Sequence, residues 1–575
     1  MRIATALFVC LLAATGAAAQ SPVADAVMNR DVAALRTLLQ KKSDVNAPQI
    51  DGSTALHWAV FHDNLQVADA LLSAGANVNA VTREGATPLA MATMYGSVRM
   101  VERLLEAGAD AKERGANGET MLMFAARNGN PRLVELFVAA GVDVNATENL
   151  RKTTALMWAA EQRHPEAVRM LLKAGADPAA KSGGAGLPRN YMANRVNQKS
   201  VQEAQERRKR AAAAGRTYEE QLQLERGQTA LRPNQQQQPP PPADDDNEQV
   251  VAGLVGSGGG GLTALVFAAR EGDVESAIAL LDAGADVNQT TEYGWTPLLT
   301  AVNNRNYLLA SMLLDRGANP NLANKGGWTP LYIATDNRNI EGGDYPVPRP
   351  DIEHLDLITK LLEKGANPNA RVKENTLTRT IFTMQWFFED GATAFARAAQ
   401  SSDTALMKLL LEHGADPRLA TANGDTAITL AGGIGWVEGV TYERSREENL
   451  EAIRMLLDLG LDPNTANSEG RTALMGAALK GRNEVIQLLV ERGARLEMRD
   501  HGSRDTDKIG SAAAGHTWQA IDYADGLVRA GVQGAIAHPE TSAFIRRLML
   551  DRGLAVPPPD RNILSVCVVS LCQGQ

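Results

Sequence analysis

At 575 residues the chain is long enough for several ordinary domains, and its 58 basic and 67 acidic side chains leave a formal charge of −9. Both signs are mixed along the sequence, which excludes a polyanion-binding field over the whole molecule and gives no reason to expect nucleic acid as a partner. Aromatic residues make up only 5% and there are three cysteines, so neither a ring-rich core nor a disulfide scaffold is expected.

Residues 1–20 read as an export signal. Met1-Arg2 gives a short positive start, an apolar run extends from Ala4 to about Ala14, and Ala17-Ala18-Ala19 offers small residues for cleavage before Gln20. Cys10 lies inside the apolar run, too early for a lipid-modified cysteine at a cleavage site. No later segment is apolar for long enough to cross a bilayer, so no membrane span is expected. The expected location is therefore periplasmic or extracellular, and the Ala-, Arg- and Gly-rich composition points to a bacterial envelope.

From residue 21 onward the chain repeats itself. Leu38-Leu39, Leu71-Leu72 and Leu104-Leu105 follow one another at intervals of 33 residues, and the interval returns at Leu280-Leu281 and Leu313-Leu314. A fixed period of this length means one supersecondary unit stacked many times. Within a unit, Gly52-Ser53-Thr54-Ala55-Leu56-His57-Trp58-Ala59 opens a short helix, Val67 to Ser73 forms a second, and Gly75-Ala76-Asn77-Val78-Asn79-Ala80 closes the unit. Thr54 suits a helix N-cap and Gly75 the left-handed position past the second helix. Small Ala59 and Ala92 let helices approach, while the paired leucines fill the space between units. Burying each such leucine is worth about 1.5–3 kcal/mol, too little for a lone unit to stand by itself.

This grammar resembles the ankyrin repeat. Thr87-Pro88-Leu89, Thr296-Pro297-Leu298 and Thr329-Pro330-Leu331 carry the resemblance, with Thr54-Ala55-Leu56-His57 closest to the opening motif. Ends such as Gly284-Ala285-Asp286-Val287-Asn288 match equally well. Eleven units open at about residues 21, 52, 85, 118, 151, 261, 294, 327, 391, 424 and 470, and a degenerate twelfth runs from Trp518 to about Leu554. The resemblance implies an all-α repeat solenoid, a stack of helix pairs with protruding hairpin fingers and a concave face, interrupted by a long flexible insert.

The departures from the period define the expected organisation: an N-terminal array over 21–182, a low-complexity insert over 183–260, a second array over 261–500, and a degenerate cap with a tail over 501–575. The large insert carries Arg207-Arg208-Lys209-Arg210, read as part of a charged, solvated helix, then glutamine, proline, aspartate and glycine runs expected to be linker. Smaller inserts fall at 341–353, 371–390, 435–447 and about 501–515. Whether the two arrays stack across 183–260 is open at this level. So is the state of Cys567 and Cys572, which can bridge only if the chain turns between them. The run from Val566 to Leu571 favours a strand, which would hold the two about 17 Å apart.

No catalytic constellation emerges. The eight histidines lack ligand-like spacing, and His57 is expected to bond neighbouring backbone from the opening motif. The glycines at 256–261 lack the Lys-Ser/Thr of a phosphate-cradling loop, so no cofactor and no metal is expected. Asn145-Ala146-Thr147 and Asn288-Gln289-Thr290 match a glycosylation triplet but coincide with the turn that ends each unit.

Aromatic placement is what remains. The residue between the His and Ala positions of the opening helix points to the concave groove by the ankyrin resemblance, and here it is Trp58, Phe124, Trp158 and Phe267. The residue before the threonine is likewise expected to be exposed, and it is Trp295 and Trp328. Trp386, followed by Phe387-Phe388, offers another patch on the insert 371–390. Rigid, exposed rings are what recognition surfaces use as anchors. The leading expectation is a non-catalytic scaffold holding an unidentified protein or peptide in its groove. Two alternatives stand beside it: an enzyme whose site converges from the inserts 341–353, 371–390 and 435–447 around Tyr345, Arg349, Trp386, Glu389 and Tyr442, and an architectural spacer.

Overall fold

The computed structural model describes residues 21–184, 260–339, 349–373, 390–436, 442–501, 517–528 and 536–559, together with residues 210 and 214. Among the described residues the helices of the stack fall into twelve antiparallel pairs. Units 1 to 5 are α1 (Pro22–Met28) with α2 (Val32–Gln40), α3 (Ala55–Phe61) with α4 (Leu65–Ser73), α5 (Pro88–Tyr95) with α6 (Val98–Glu106), α7 (Met121–Asn128) with α8 (Pro131–Ala139), and α9 (Ala155–Glu161) with α10 (Pro165–Lys173). Units 6 to 9 are α11 (Ala264–Glu271) with α12 (Val274–Asp282), α13 (Pro297–Asn303) with α14 (Tyr307–Asp315), α15 (Pro330–Asn339) with α16 (His354–Glu363), and α17 (Ala394–Gln400) with α18 (Thr404–Glu412). Units 10 to 12 are α19 (Ala427–Gly432) with α20 (Arg446–Asp458), α21 (Ala473–Leu479) with α22 (Asn483–Glu491), and α23 (Ala520–Ala524) with α24 (Pro539–Leu550).

Most of the threonines before the first helices cap them, whereas Thr54, expected to do so, instead has its hydroxyl 2.9 Å from His57 Nδ1. Thr87, Thr263 and Thr296 accept from the backbone N–H three residues on, at 3.0, 3.3 and 3.1 Å. His57 acts as the sequence implies: its Nδ1 lies 3.1 Å from the Thr54 amide and its Nε2 3.1 Å from the Ala86 carbonyl of the next unit. Burial pushes its pKa down from the ordinary histidine value. The alanine in the middle of each first helix, from Ala59 through Ala301 to Ala477, is fully buried where successive inner helices meet. Between α19 and α21 even a methyl group is excluded, since a Cβ on Gly476 would lie 2.8 Å from the Gly432 carbonyl oxygen. Of each leucine pair from unit 2 through unit 6, the first member (Leu71, Leu104, Leu280) is fully buried and the second is half-buried. One leucine per unit, rather than two, therefore seals the seam there. Inner helices pack closely on one another, and most outer helices touch far less, so the stack bends with its inner helices on the concave side.

Two ladders run along the stack outside the helices. In the fingers, one backbone bond joins most hairpins to the next: Arg83 N to Asp51 O at 2.8 Å, Asn149 N to Asn117 O at 2.7 Å, Lys325 N to Tyr293 O at 3.0 Å, His501 N to Glu469 O at 2.8 Å. Past the second helix, an asparagine clamps its neighbour with both ends of its amide. Asn46, Asn145, Asn288, Asn321, Asn369 and Asn464 each donate to the carbonyl of a glycine in the next unit and accept from an N–H two residues beyond it. Asn145 and Asn288 spend their amides this way, which accounts for the glycosylation-like triplets as structural turns.

The ladders also answer the question of the large insert. Ser182 N donates to Leu262 O at 2.8 Å and Gly261 N to Gly183 O at 3.2 Å, closing an ordinary finger between units 5 and 6. Gly183 N reaches back to Arg151 O at 2.6 Å, and Glu292 N reaches forward to Gly260 O at 3.0 Å. Helices α9 and α11 pack together, as do α10 and α12, and Arg270 pairs with Glu161 at 2.9 Å. The stack is continuous from unit 5 to unit 6, with residues 185–259 inserted at a finger tip. Val372 N to Ala392 O at 3.0 Å and Asp500 N to Trp518 O at 2.9 Å close the other two finger inserts alike. Among the described residues no helix is long and apolar enough to cross a membrane, and no group of potential metal ligands is found.

Candidate interaction surface

The inner helices carry the concave face, and they divide into an open set and a closed set. In α3, α5, α7 and α9 the fourth residue is half-buried: Trp58, Met91, Phe124 and Trp158. One helical turn later the side chains are more open still, with Phe61 at 51%, Met94 at 49% and Arg127 also exposed. Beyond α9 this face closes. Only the last residue or two of α11 and α13 and Arg338 in α15 keep partial exposure, and every residue of α17, α19, α21 and α23 is buried.

The open set forms two ring clusters. Trp58 and Phe61 meet edge-on with ring centroids 5.6 Å apart, Phe61 reaches Tyr95 of the next unit at 6.1 Å, and Phe124 reaches Trp158 at 6.2 Å. The fingers hold the rings in place: the Trp58 indole N–H donates to Gln49 at 2.7 Å and that of Trp158 to the Thr153 hydroxyl at 2.8 Å. The Arg127 guanidinium sits 6.0 Å above the Trp158 ring. Finger tips add exposed aliphatics, Ile50 at 78%, Val81 at 55% and Leu150 at 73%. Among the described residues, seven of the ten large hydrophobic side chains left exposed belong to inner helices or fingers of units 1 to 5. A concentration of this kind marks a contact surface, whereas single scattered apolar residues do not.

Three sequence-derived anchors need correction. Phe267 is 3% exposed, under the Arg270 guanidinium at 5.0 Å, because the concave face has closed at unit 6. Trp295 and Trp328 are 1% and 4% exposed, so they form no exposed ladder. Each closes a finger, Trp295 through Thr291 N to its carbonyl at 2.9 Å and Trp328 through Asn324 N at 3.1 Å. Trp328 then packs its ring on Tyr332 of its own helix at 5.0 Å. Trp386, Cys567, Cys572 and residues 1–20 lie outside the described residues. Phe61, Met94 and Tyr95 were not singled out from the sequence, although they stand three or four positions past the fourth residue of their helices and so share its face.

The three inserts proposed to converge on one site do not share an edge. The 371–390 insert springs from a finger, where Val372 and Ala392 pair, while 341–353 and 435–447 join the first and second helices of units 8 and 10 at the opposite edge. The 435–447 insert contributes Glu443 and Arg444 to a buried ionic network. Asp403, fully buried, receives Arg338 of α15 at 2.7 Å and Arg444 of the second insert at 3.1 Å. Arg397 pairs with Asp336 at 2.9 Å. Glu443 takes Arg482 at 2.8 Å and Lys480, whose pKa burial pushes down from the lysine range. His354 stands beside this network with its Nδ1 3.0 Å from the Tyr307 hydroxyl. Burial first, then Arg305, Arg338 and Arg444, lower its pKa to about 4. The carboxylates here are spent on guanidinium groups and N-caps, an arrangement that braces units 8 to 11.

The family comparison agrees with this architecture. A family model described as ankyrin repeats (3 copies) matches residues 23–115, 107–182, 244–324, 265–372 and 444–500. A human 2-5A-dependent ribonuclease is 37% identical over 86 residues, 15% of this chain and 10% of that protein, so the chain spans about a tenth of that relative's length. The crystal structure of the human ASB11 ankyrin repeat domain aligns with a TM-score of 0.35 at 23% identity, covering 52% of this chain and all of that one. The family matches together take in more than half of the chain and fall on the helix pairs and fingers described above; the chain belongs to the ankyrin-repeat family.

Proposed function

We propose that this protein is an exported, non-catalytic scaffold that binds a protein or peptide partner on the concave and finger face of units 2 to 5. Repeats of this family generally mediate contacts between proteins. The observation that carries the more specific reading is the contrast along one face: Trp58, Phe61, Met94, Tyr95, Phe124 and Trp158 are solvent-accessible, while the corresponding positions from unit 8 onward are buried. Rigid rings held by finger hydrogen bonds lose little side-chain entropy on binding, which favours them as anchors. No cofactor or metal enters this reading. Export rests on the composition of residues 1–20, and N-terminal sequencing of the mature protein recovered from the periplasm or medium tests it.

Crosslinking of the exported protein, followed by affinity measurement on the partner it identifies, tests the groove. A variant carrying Trp58→Ala, Phe124→Ala and Trp158→Ala is expected to fold and to bind at least about a hundredfold more weakly, since truncating a few anchors removes most of an interface's free energy. Undiminished affinity in that variant would remove the groove assignment. It would favour the architectural reading, in which length and not surface is used.

A further inference from the structure

Units are linked joint by joint along the stack, and one joint lacks the links. From units 2–3 to units 11–12, each hairpin that opens a unit donates a backbone N–H to the hairpin before it, with one exception. Arg83 N reaches Asp51 O at 2.8 Å and Asn149 N reaches Asn117 O at 2.7 Å. Among the described residues, no such bond joins the hairpin opening unit 3 (82–86) to the one opening unit 4 (115–119). The spacing of the hairpins agrees. A Cβ on Gly52, Gly294, Gly391 or Gly470 would run into the backbone of the next hairpin at 3.0, 3.2, 2.8 and 2.9 Å, whereas one on Gly85 would meet the Ala116 methyl at 3.5 Å, an ordinary contact.

The asparagine clamp fails at the same joint. Lys112 stands where Asn46, Asn145 and Asn288 stand in their units, so the Gly141 carbonyl and the Asp143 N–H of unit 4 lack the amide that holds their counterparts. Other joints without a full clamp keep their hairpin bond, as between units 5 and 6 (Gly183 N to Arg151 O, 2.6 Å) and between units 9 and 10 (Ala422 N to Asp390 O, 2.6 Å). Among the described residues, the joint between units 3 and 4 is the one that lacks both.

What holds this joint lies away from the fingers. Helices α5 and α7 pack together, and the Asn128 side chain donates to the Met94 carbonyl at 3.2 Å on the edge opposite the fingers. Arg132 pairs with Glu102 across the outer helices at 3.1 Å. Near the fingers, one side-chain bond crosses, from the Thr87 hydroxyl to Glu113 at the base of the unit 4 hairpin. That hairpin is otherwise tied forward, with Arg114 donating to the Thr147 carbonyl at 3.3 Å. A joint held at one edge and free at the other rotates about the held edge. The ring clusters stand on either side of it, Trp58, Phe61 and Tyr95 on units 2 and 3, Phe124 and Trp158 on units 4 and 5.

We infer that units 3 and 4 meet in a hinge that opens and closes at the finger edge, so that units 1 to 3 swing against the rest of the stack and change the distance between the two ring clusters. The hinge stands on the missing links alone; its use in fitting a partner rests on the groove reading above.

Distances between paired spin labels in the full chain test it, with the three native cysteines replaced by serine. Labels at Ile50→Cys and Leu150→Cys span three joints, roughly 30 Å, with the one between units 3 and 4 in the middle. Labels at Glu292→Cys and Ala422→Cys span three joints that all carry hairpin bonds. The first distance distribution is expected to be at least about twofold broader than the second, and Lys112→Asn, which supplies the missing clamp, to narrow it by about half. Equal widths for the two pairs, or a broad first distribution that Lys112→Asn leaves unchanged, would overturn the hinge at this joint. Neither result bears on the groove reading, which the affinity of the Trp58, Phe124 and Trp158 variant decides.

Discussion

Single side chains do two kinds of work here, bracing the stack and facing the solvent, and each has a measurable signature. His354 is neutral in the folded chain down to a pKa of about 4, against an ordinary value of 6.5. Between those values the unfolded chain takes up a proton that the folded chain refuses, so stability contributed by His354 is present above pH 6.5 and is lost as pH falls toward 4. Urea midpoints measured across that window should fall more steeply in the wild type than in His354→Gln; parallel curves would remove this histidine from the acid response. Asn321 donates to Gly365 O at 2.8 Å and accepts from Asn367 N at 2.7 Å, so it ties unit 7 to unit 8 across an insert. Asn321→Ala is expected to cost about 1–3 kcal/mol in denaturant unfolding, because two backbone groups lose their partner. Residue identity was legible from the sequence where the partner is local or one period away, as for His57. It was not legible for Trp295 and Trp328, because a position before the capping threonine looks the same whether its ring turns to solvent or onto its own helix.

Helices and fingers carry the next level. The fully buried alanine of each inner helix sets how closely units approach, and Ala301→Leu should destabilise by about 1–3 kcal/mol through overpacking against α11 and α15. A thermal midpoint unchanged from wild type would mean the crossing has slack that the structure does not contain. The finger between units 5 and 6 makes the opposite prediction for a far larger change. Replacing residues 185–259 by a short Gly-Ser link between Gly184 and Gly260 should leave the fold intact, because the hydrogen bonds between 182–183 and 261–262 already close the hairpin. Shortening the loop so strongly lowers its closure entropy cost by about 2–3 kcal/mol, so the shortened chain should be as stable as the original or more so. A drop in midpoint would show that the insert itself holds the two halves together. At this scale the sequence was informative, since periodic leucines and glycines placed every helix pair. It left open whether stacking bridges the insert, because that depends on hydrogen bonds between residues 80 positions apart.

Over the whole molecule, the described residues form one repeating stack whose concave face is open in its first units and closed in its later ones. Repetition explains the stack: each unit buries its seam only against a neighbour, so a long run of near-identical pairs is stable where one pair is not. Repetition cannot explain the contrast along the face, which arises because the fourth residue of each inner helix is free to vary. Trp58, Phe124 and Trp158 stand half-open in the first units, while Arg397 in unit 9 occupies the same register and is closed over by Asp336, Gln400 and Ser401. That is why the exposure of Trp58, Phe124 and Trp158 was readable from their register and that of Phe267 was misread: register fixes which way a side chain starts out and not what packs over it. Hydroxyl-radical footprinting with residue-level mass spectrometry reads this contrast directly. Trp58, Phe61, Tyr95 and Trp158 should be oxidised rapidly in the free protein and protected once a partner is bound, while Trp295, Trp328 and Trp518 stay protected throughout. Rapid oxidation of Trp295 and Trp328 in the folded chain, or no protection of Trp58 and Trp158 in the complex, would contradict it.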